Sequence, residues 1–280
     1  MSVVVPFLGD ADAGRGLLAT LGRMRIGPGD ELIVADNTRD AVLAGIADGE
    51  VQVVRAARER SSYHARNEGA RVARRDWILF IDADCIPAAT LLDAYFEDPV
   101  PARCVAIAGA IVPPPSQAPL AARYARARNF VAIPREPGAI PTPPTGNLMV
   151  RRSAFEGIGG FEEGIRSGGD VDFCRRLQAA GLTLELRPAA IVEHPHRERL
   201  VDYLRTVARY AAGARWLDDR YPGIAPRWPL LPELARASRD AARLWALGDN
   251  DEAAFRALDG FSLIAHNLGY RGHNRAPSNF

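Results

Sequence analysis

The chain has 280 residues, 48% hydrophobic and 25% charged, which suits one large α/β domain or a domain with an appendage and excludes disordered and fibrous classes. Its 35 basic residues, all arginine, meet 34 acidic ones for a net charge of +1, which argues against a dedicated nucleic-acid binder. Cys85, Cys104 and Cys174 lack C-x-x-C spacing and read as reduced thiols, no apolar run approaches the ~18 residues needed to cross a bilayer, and no signal peptide is visible.

The first hundred residues alternate short apolar runs with helical stretches. Strands are expected at Ser2 to Pro6, Glu31 to Asp36, Val51 to Val54 and Asp76 to Asp82. Helices are expected at Gly16 to Met24, Asp40 to Ala47, and from Ser62, read as the cap, to about Arg74. Near-continuous apolar strands with crossover helices describe a doubly wound, mostly parallel sheet with helices on both faces.

Val105 to Val112 reads as another strand. Nine prolines then fall between Pro113 and Pro144, around a helical stretch of about Ala118 to Ala132. This segment reads as a surface excursion or a lid closing over the site. Asn147 to Arg151 is a strand, Ser153 caps a short helix, and Asp170 to Ala180 is a helix stopped by Gly181. Thr183 to Arg187 and Ile191 to His194 are short strands. Beyond residue 197 the strand signal ends. Leu234, Ala237, Ala241 and Leu244 recur at helical spacing, as do Phe255, Leu258, Phe261, Ala265 and Leu268 behind an Asp249–Glu252 capping pair. The expected division is a catalytic domain, 1–197, and a C-terminal helical extension, 198–280.

Chemistry concentrates at the strand ends, where open parallel sheets bind ligands. Asp82-Ala83-Asp84 directly follows the apolar strand Trp77 to Ile81. Two carboxylates this close repel unless a cation lies between them, and Mg²⁺ or Mn²⁺ prefers such oxygen ligands; a solvated turn is the plain alternative. Asp36-Asn37 ends another strand, as a base or ribose contact or an ordinary Asx turn. Arg66 and Asn67 open a helix, as a phosphate or ribose contact or a solvated face. In Gly168-Gly169-Asp170-Val171-Asp172, glycines admit close approach, and a carboxylate at a helix start suits a general base; N-capping by Ser167 or Asp170 is the alternative. Glu193-His194-Pro195-His196 offers metal-ligating or merely polar histidines.

SVVVP, LIVADN, ARNEGA, WILFIDAD, TGNLMVRR, GGFEE and GGDVDFCRRL follow one another in an order that resembles family 2 glycosyltransferases with the GT-A fold, over about residues 2–196. The resemblance implies a metal-dependent, inverting transfer from a nucleotide-sugar donor, a UDP-sugar first and a GDP-sugar second, to a hydroxyl acceptor. That acceptor would be a saccharide, a lipid-linked saccharide or a small metabolite. It implies donor contacts from Pro6, Phe7, Asp10, Asp36, Arg66, Asn67 and Asp82, and sugar- or acceptor-side positions at Gly146, Asn147 and Gly169. Metal ligation would fall to Asp82, Asp84 and His194, holding Mn²⁺ or Mg²⁺. Asp170 falls at the catalytic base, with Asp172 as its rival. The sequence departs from the family pattern where Asp10 stands for Glu, where a glycine is absent before Thr38, and where Gly169 replaces an acid. A sugar nucleotidyltransferase and a non-catalytic nucleotide-binding protein are the alternatives. A cytoplasmic location is expected, with weak contact at the inner membrane face through arginines such as Arg205 and Arg209, or with ion pairs to the nearby acids instead, and with homodimerisation left open.

Overall fold

A computed structural model describes residues 1–47, 49–128, 142–225 and 229–277. In chain order the elements are β1 (Ser2–Phe7), α1 (Ala11–Leu21), β2 (Glu31–Asp36), β3 (Val51–Arg55), α2 (Ser62–Val72), β4 (Trp77–Ile81), β5 (Ile86–Pro87), α3 (Leu91–Tyr95), β6 (Cys104–Val112), α4 (Leu120–Ala127), β7 (Asn147–Arg151), α5 (Arg152–Gly157), α6 (Gly169–Ala179), β8 (Thr183–Glu193), α7 (Leu200–Arg220), α8 (Leu230–Ala246) and α9 (Asn250–Tyr270). Of the proline-rich stretch 113–144 expected to form a lid, residues 129–141 lie outside the described residues, and the part before them carries α4.

The sheet order is β3-β2-β1-β4-β7-β6-β8-β5. β1 to β4 are mutually parallel, β7 runs against both β4 and β6, β6 and β8 are parallel, and β5 is reversed against β8. The central strands are apolar throughout because both faces are covered. Val3, Val5 and Phe7 pack on one face with Leu17 and Leu21 of α1. On the other, Gly69 of α2 comes against Val4, Ile33 and Ala35. Pro6 is tolerated in β1 because the pairing with β4 ends at Val4, so its missing N–H leaves no gap on that side.

An aromatic cluster supports the region before α6. Phe161 lies 5.2 Å from Phe80 of β4, 5.4 Å from Phe155 of α5 and 4.7 Å from Phe173 of α6. Tilted and edge-on pairs of this kind add to the burial of the rings.

The described residues group into two compact units. One comprises 1–115, 142–195 and 275–277, and the other 116–128 with 196–225 and 229–274. The second unit joins α4 to α7, α8 and α9. Ala121, Tyr124 and Ala125 pack with Tyr203 and Leu258. Tyr124 donates to Asp259 at 2.7 Å, and Arg128 holds both Asp259 oxygens at 2.9 Å and Glu252 at 3.1 Å. Asp249 caps α9 by accepting the Glu252 N–H. On α7, Arg205 pairs with Asp202 and Arg215 with Asp219. Among the described residues, no helix is long and apolar enough to cross a membrane.

The structure departs locally from the sequence reading. Asp40 to Ala47 yields only a 3₁₀ turn, Val42–Gly45. Ser61, not Ser62, caps α2, accepting the Tyr63 N–H, and α5 has Arg151 rather than Ser153 at its N-cap. The two expected late strands form one strand, β8, whose register against β6 slips between Gly109 and Ala110.

Candidate active site

The strand ends of β4 and β8 meet through β5. Ile86 pairs with Glu193 and Pro87 with Val192, so the turn after β4 is laid beside the end of β8. Asp84 and His194 thereby come together, with Nε2 at 3.4 Å from Oδ1. Ligand atoms of Asp84, Cys85 and His194 all lie within 4.8 Å of one another. Burial, with the charges of Asp82 and Asp84, pushes the Cys85 thiol up, so it stays protonated; its Sγ donates to the Gly146 carbonyl at 3.7 Å. The Asp84 carboxylate and the His194 imidazole supply an oxygen and a nitrogen donor, a pair that fits Mn²⁺.

Asp82 turns elsewhere. Its Oδ1 accepts from Arg66 of α2, a buried arginine whose Nε has no hydrogen-bond partner. Gly146 lies against the same carboxylate; a Cβ there would stand 3.1 Å from Asp82 Oδ2. The structure therefore groups Asp82 with Arg66 and Asp84 with His194, side by side.

Asp170 completes the cluster from α6. Burial pushes its carboxyl above the ordinary aspartate range, the Val171 N–H (3.0 Å) and Arg66 pull it down, and Asp82 adds to the rise. Its surface is nevertheless partly exposed. Asp172 lies two residues on and is fully buried. Arg176 holds it at 2.8 Å and also donates to the carbonyls of Ile158 and Gly160, both at 2.7 Å. Neither Ser167 nor Asp170 caps α6, because its N-cap is Gly168, with φ 86° and no side-chain cap bond.

Other residues singled out in the sequence are engaged within the fold. Asp36 accepts from Thr38 N (2.9 Å), Thr38 Oγ1 (2.5 Å) and Leu43 N (3.0 Å), and Asn37 donates to the carbonyls of Ala56 and Glu59. These two build an Asx turn that organises the loop after β2. Asn67 clamps the Phe161 backbone, donating to its carbonyl and accepting from its N–H, both at 2.9 Å, and donates to Glu163 at 3.0 Å. Asn147 bridges the slipped register of β8, donating to Ala110 and Ala190 at 2.9 Å and accepting from Tyr95 at 2.7 Å. Phe7 is core, and Asp10 is an exposed N-cap of α1. Sequence reasoning missed Cys85 as a neighbour of the cluster and Tyr63 beside Gly169. The two-residue strand that brings Cys85 in carries no periodic signal at all.

The sequence pattern of Glycosyl transferase family 2 matches residues 2–159. Pre-mycofactocin glycosyltransferases from two Mycobacterium tuberculosis strains are each 30% identical to the chain over 234 residues, covering 79% of it. The chain spans about half the length of these curated relatives, 48%. In fold it is similar to a mannosyltransferase from Pyrobaculum calidifontis in complex with GDP-Man and Mn²⁺, with a TM-score of 0.62, 19% identity, and coverage of 96% of this chain and 86% of that one. S. aureus TarS 1-349 gives a TM-score of 0.50 at 14% identity, over 95% and 90% of the two chains. These likenesses agree with a GT-A fold for the sheet. With more than half of its residues inside the family pattern, the chain belongs to glycosyl transferase family 2.

Proposed function

We propose that the chain is a metal-dependent, inverting glycosyltransferase that moves a sugar from a nucleoside-diphosphate sugar to a hydroxyl acceptor. The observation that carries the reading is the meeting of Asp84 and His194 at one strand-end edge, beside Asp82, Arg66 and the partly exposed Asp170. Asp84 and His194 would hold Mn²⁺ or Mg²⁺, which would neutralise charge on the departing diphosphate. Asp82 and Arg66 face the donor, and the unpartnered Arg66 Nε is a buried donor suited to a phosphate or ribose oxygen. Asp36 contributes by shaping the loop after β2, and Pro6 and Phe7 of β1 and Asp10 at the N-cap of α1 lie toward the same edge.

Asp170 is the general base. Its raised pKa makes it a better proton acceptor from an attacking hydroxyl while it remains a carboxylate on the alkaline side of its titration. Asp172, buried and held by Arg176, serves the fold. A single displacement by that hydroxyl inverts the anomeric centre.

The mannosyltransferase neighbour's complex with GDP-Man and Mn²⁺ supports including GDP-sugars beside UDP-sugars. Pre-mycofactocin, from the relatives' name, is one acceptor to include. The test is donor turnover with a panel of UDP- and GDP-sugars, with and without Mn²⁺. Metal-dependent release of UDP or GDP that is lost in Asp84→Ala supports the reading; undiminished turnover in EDTA sinks it.

A further inference from the structure

Helix α6 starts at a glycine in the left-handed region, and no side chain of its own N-cap accepts from its first N–H groups. Those groups need acceptors, and an aspartate near a helix start readily folds back to provide one. At α6 Asp170 accepts from Val171 N, while the acceptor for the Gly169 N–H comes from a different helix. Tyr63, in the first turn of α2, is buried, with its ring centroid 5.6 Å from the Arg66 guanidinium and 5.8 Å from that of Phe161. The Gly169 N–H donates to the Tyr63 hydroxyl at 3.0 Å. The ring approaches so closely that a Cβ on residue 169 would lie 2.8 Å from its Cε1 and Cζ, so this contact demands glycine.

We propose that Tyr63 is a positioning residue for Asp170: it caps α6 from α2 at the Gly169 N–H, and so leaves the neighbouring carboxylate on the Val171 N–H and partly exposed at the strand-end edge, instead of folded back onto the Gly169 N–H. The proposal rests on the reading of Asp170 as the base. Asp170 itself accepts from Val171 N at 3.0 Å. Burial, reinforced by the charge of Asp170, keeps the Tyr63 phenol protonated. A neutral oxygen caps the helix without placing a second negative charge beside the base, as a carboxylate cap would. The charged and titratable groups facing Asp170 are Arg66 and Tyr63 from α2, Asp82 after β4, and Cys174 within α6.

The test compares Tyr63→Phe with Tyr203→Phe, a buried tyrosine of the helical unit, in the full chain with donor, metal and acceptor. Tyr63→Phe frees the N–H of Gly169, and the Asp170 carboxylate moves onto it. The expected result is a kcat about tenfold lower, a fraction of the ~10²–10⁴ that a well-placed base contributes. Donor KM should stay within about twofold, since only interactions made in the transition state are lost. The acid limb of kcat against pH should move to lower pH, because the carboxylate gains a donor that favours its charged form. Tyr203→Phe should move none of these. Unchanged kcat and acid limb in Tyr63→Phe, beside an inactive Asp170→Asn, overturn the positioning role and leave the base intact. Full activity in Asp170→Asn overturns the base assignment itself, and the positioning role with it.

Discussion

Two aspartates stand at the same edge of one sheet on either side of β1, Asp36 at the end of β2 and Asp84 just after β4, and the fold treats them oppositely. The Asp36 side chain is 1% exposed and accepts three hydrogen bonds from its own loop. The Asp84 side chain is 39% exposed and meets an imidazole across 3.4 Å. The same contrast recurs within α6, where Asp172 is closed by Arg176 and Asp170 is left open. Position at the ligand-binding edge of a parallel sheet is therefore not enough. A carboxylate buried among the N–H and O–H donors of its own loop builds that loop, whereas one that stays partly exposed can still reach a ligand.

Exchanging the members of each pair tests that contrast. The largest effect is expected for Asp170→Asn, which should lower kcat by ~10²–10⁴ with donor affinity nearly unchanged. Isothermal titration of donor beside steady-state kinetics separates the two quantities. Asp84→Ala should reduce turnover by roughly 10²–10³ and abolish its response to added Mn²⁺, while the circular-dichroism melt stays in place. A melt that collapses in Asp84→Ala would place this residue with the closed members.

The closed members should behave in the reverse sense. Asp172→Asn should cost up to about 3–5 kcal/mol of stability by breaking a buried pair, with kcat of the folded fraction nearly preserved. Asp36→Asn should cost about 1–3 kcal/mol, because the amide turns a donor toward buried N–H groups. Urea melts and kinetics on the same preparations read both outcomes, and a large kcat loss without a stability loss would break the contrast.

The smallest effect is a gain. Because burial raises Asp170 in the folded chain, its ionisation disfavours the native state. The stabilisation present below the unfolded carboxyl pKa is lost as pH rises through the folded one. Asp170→Asn should therefore melt slightly above the wild type at neutral pH, and the difference should vanish in acid. Differential scanning calorimetry at two pH values checks it.

Much of this was legible in the residues. WILFID followed by Ala83 and Asp84 announced a buried strand with carboxylates at its end, and alternating strands and helices announced the sheet. The contrast between open and closed acids was not legible, because it depends on which N–H groups a loop turns inward. Nothing around Asp36 distinguishes an Asx turn from a base contact until Leu43 N is seen to reach Oδ2. Asn67 and Asn147 were hidden for the same reason, since their amides bond to carbonyls far away in sequence. The strand β5 has two residues, too few for any periodicity, yet it sets Asp84 beside His194.

The way each unit is assembled from separated stretches of chain bears on the order in which the protein matures during synthesis. Ile165 bridges to Arg275, Ala276 donates to the Gly164 carbonyl, and Arg60 donates to the Pro277 carbonyl, all within the sheet unit. Helix α4 likewise reaches its partners Tyr203 and Leu258 only after the intervening strands have been made. A nascent chain cut short before residue 275 thus lacks the segment that bonds to the loop ahead of α6, and one cut short before Tyr203 also leaves α4 without its partners. Neither unit can close in sequence as it leaves the ribosome, which lengthens the interval in which chaperones would find exposed apolar surface.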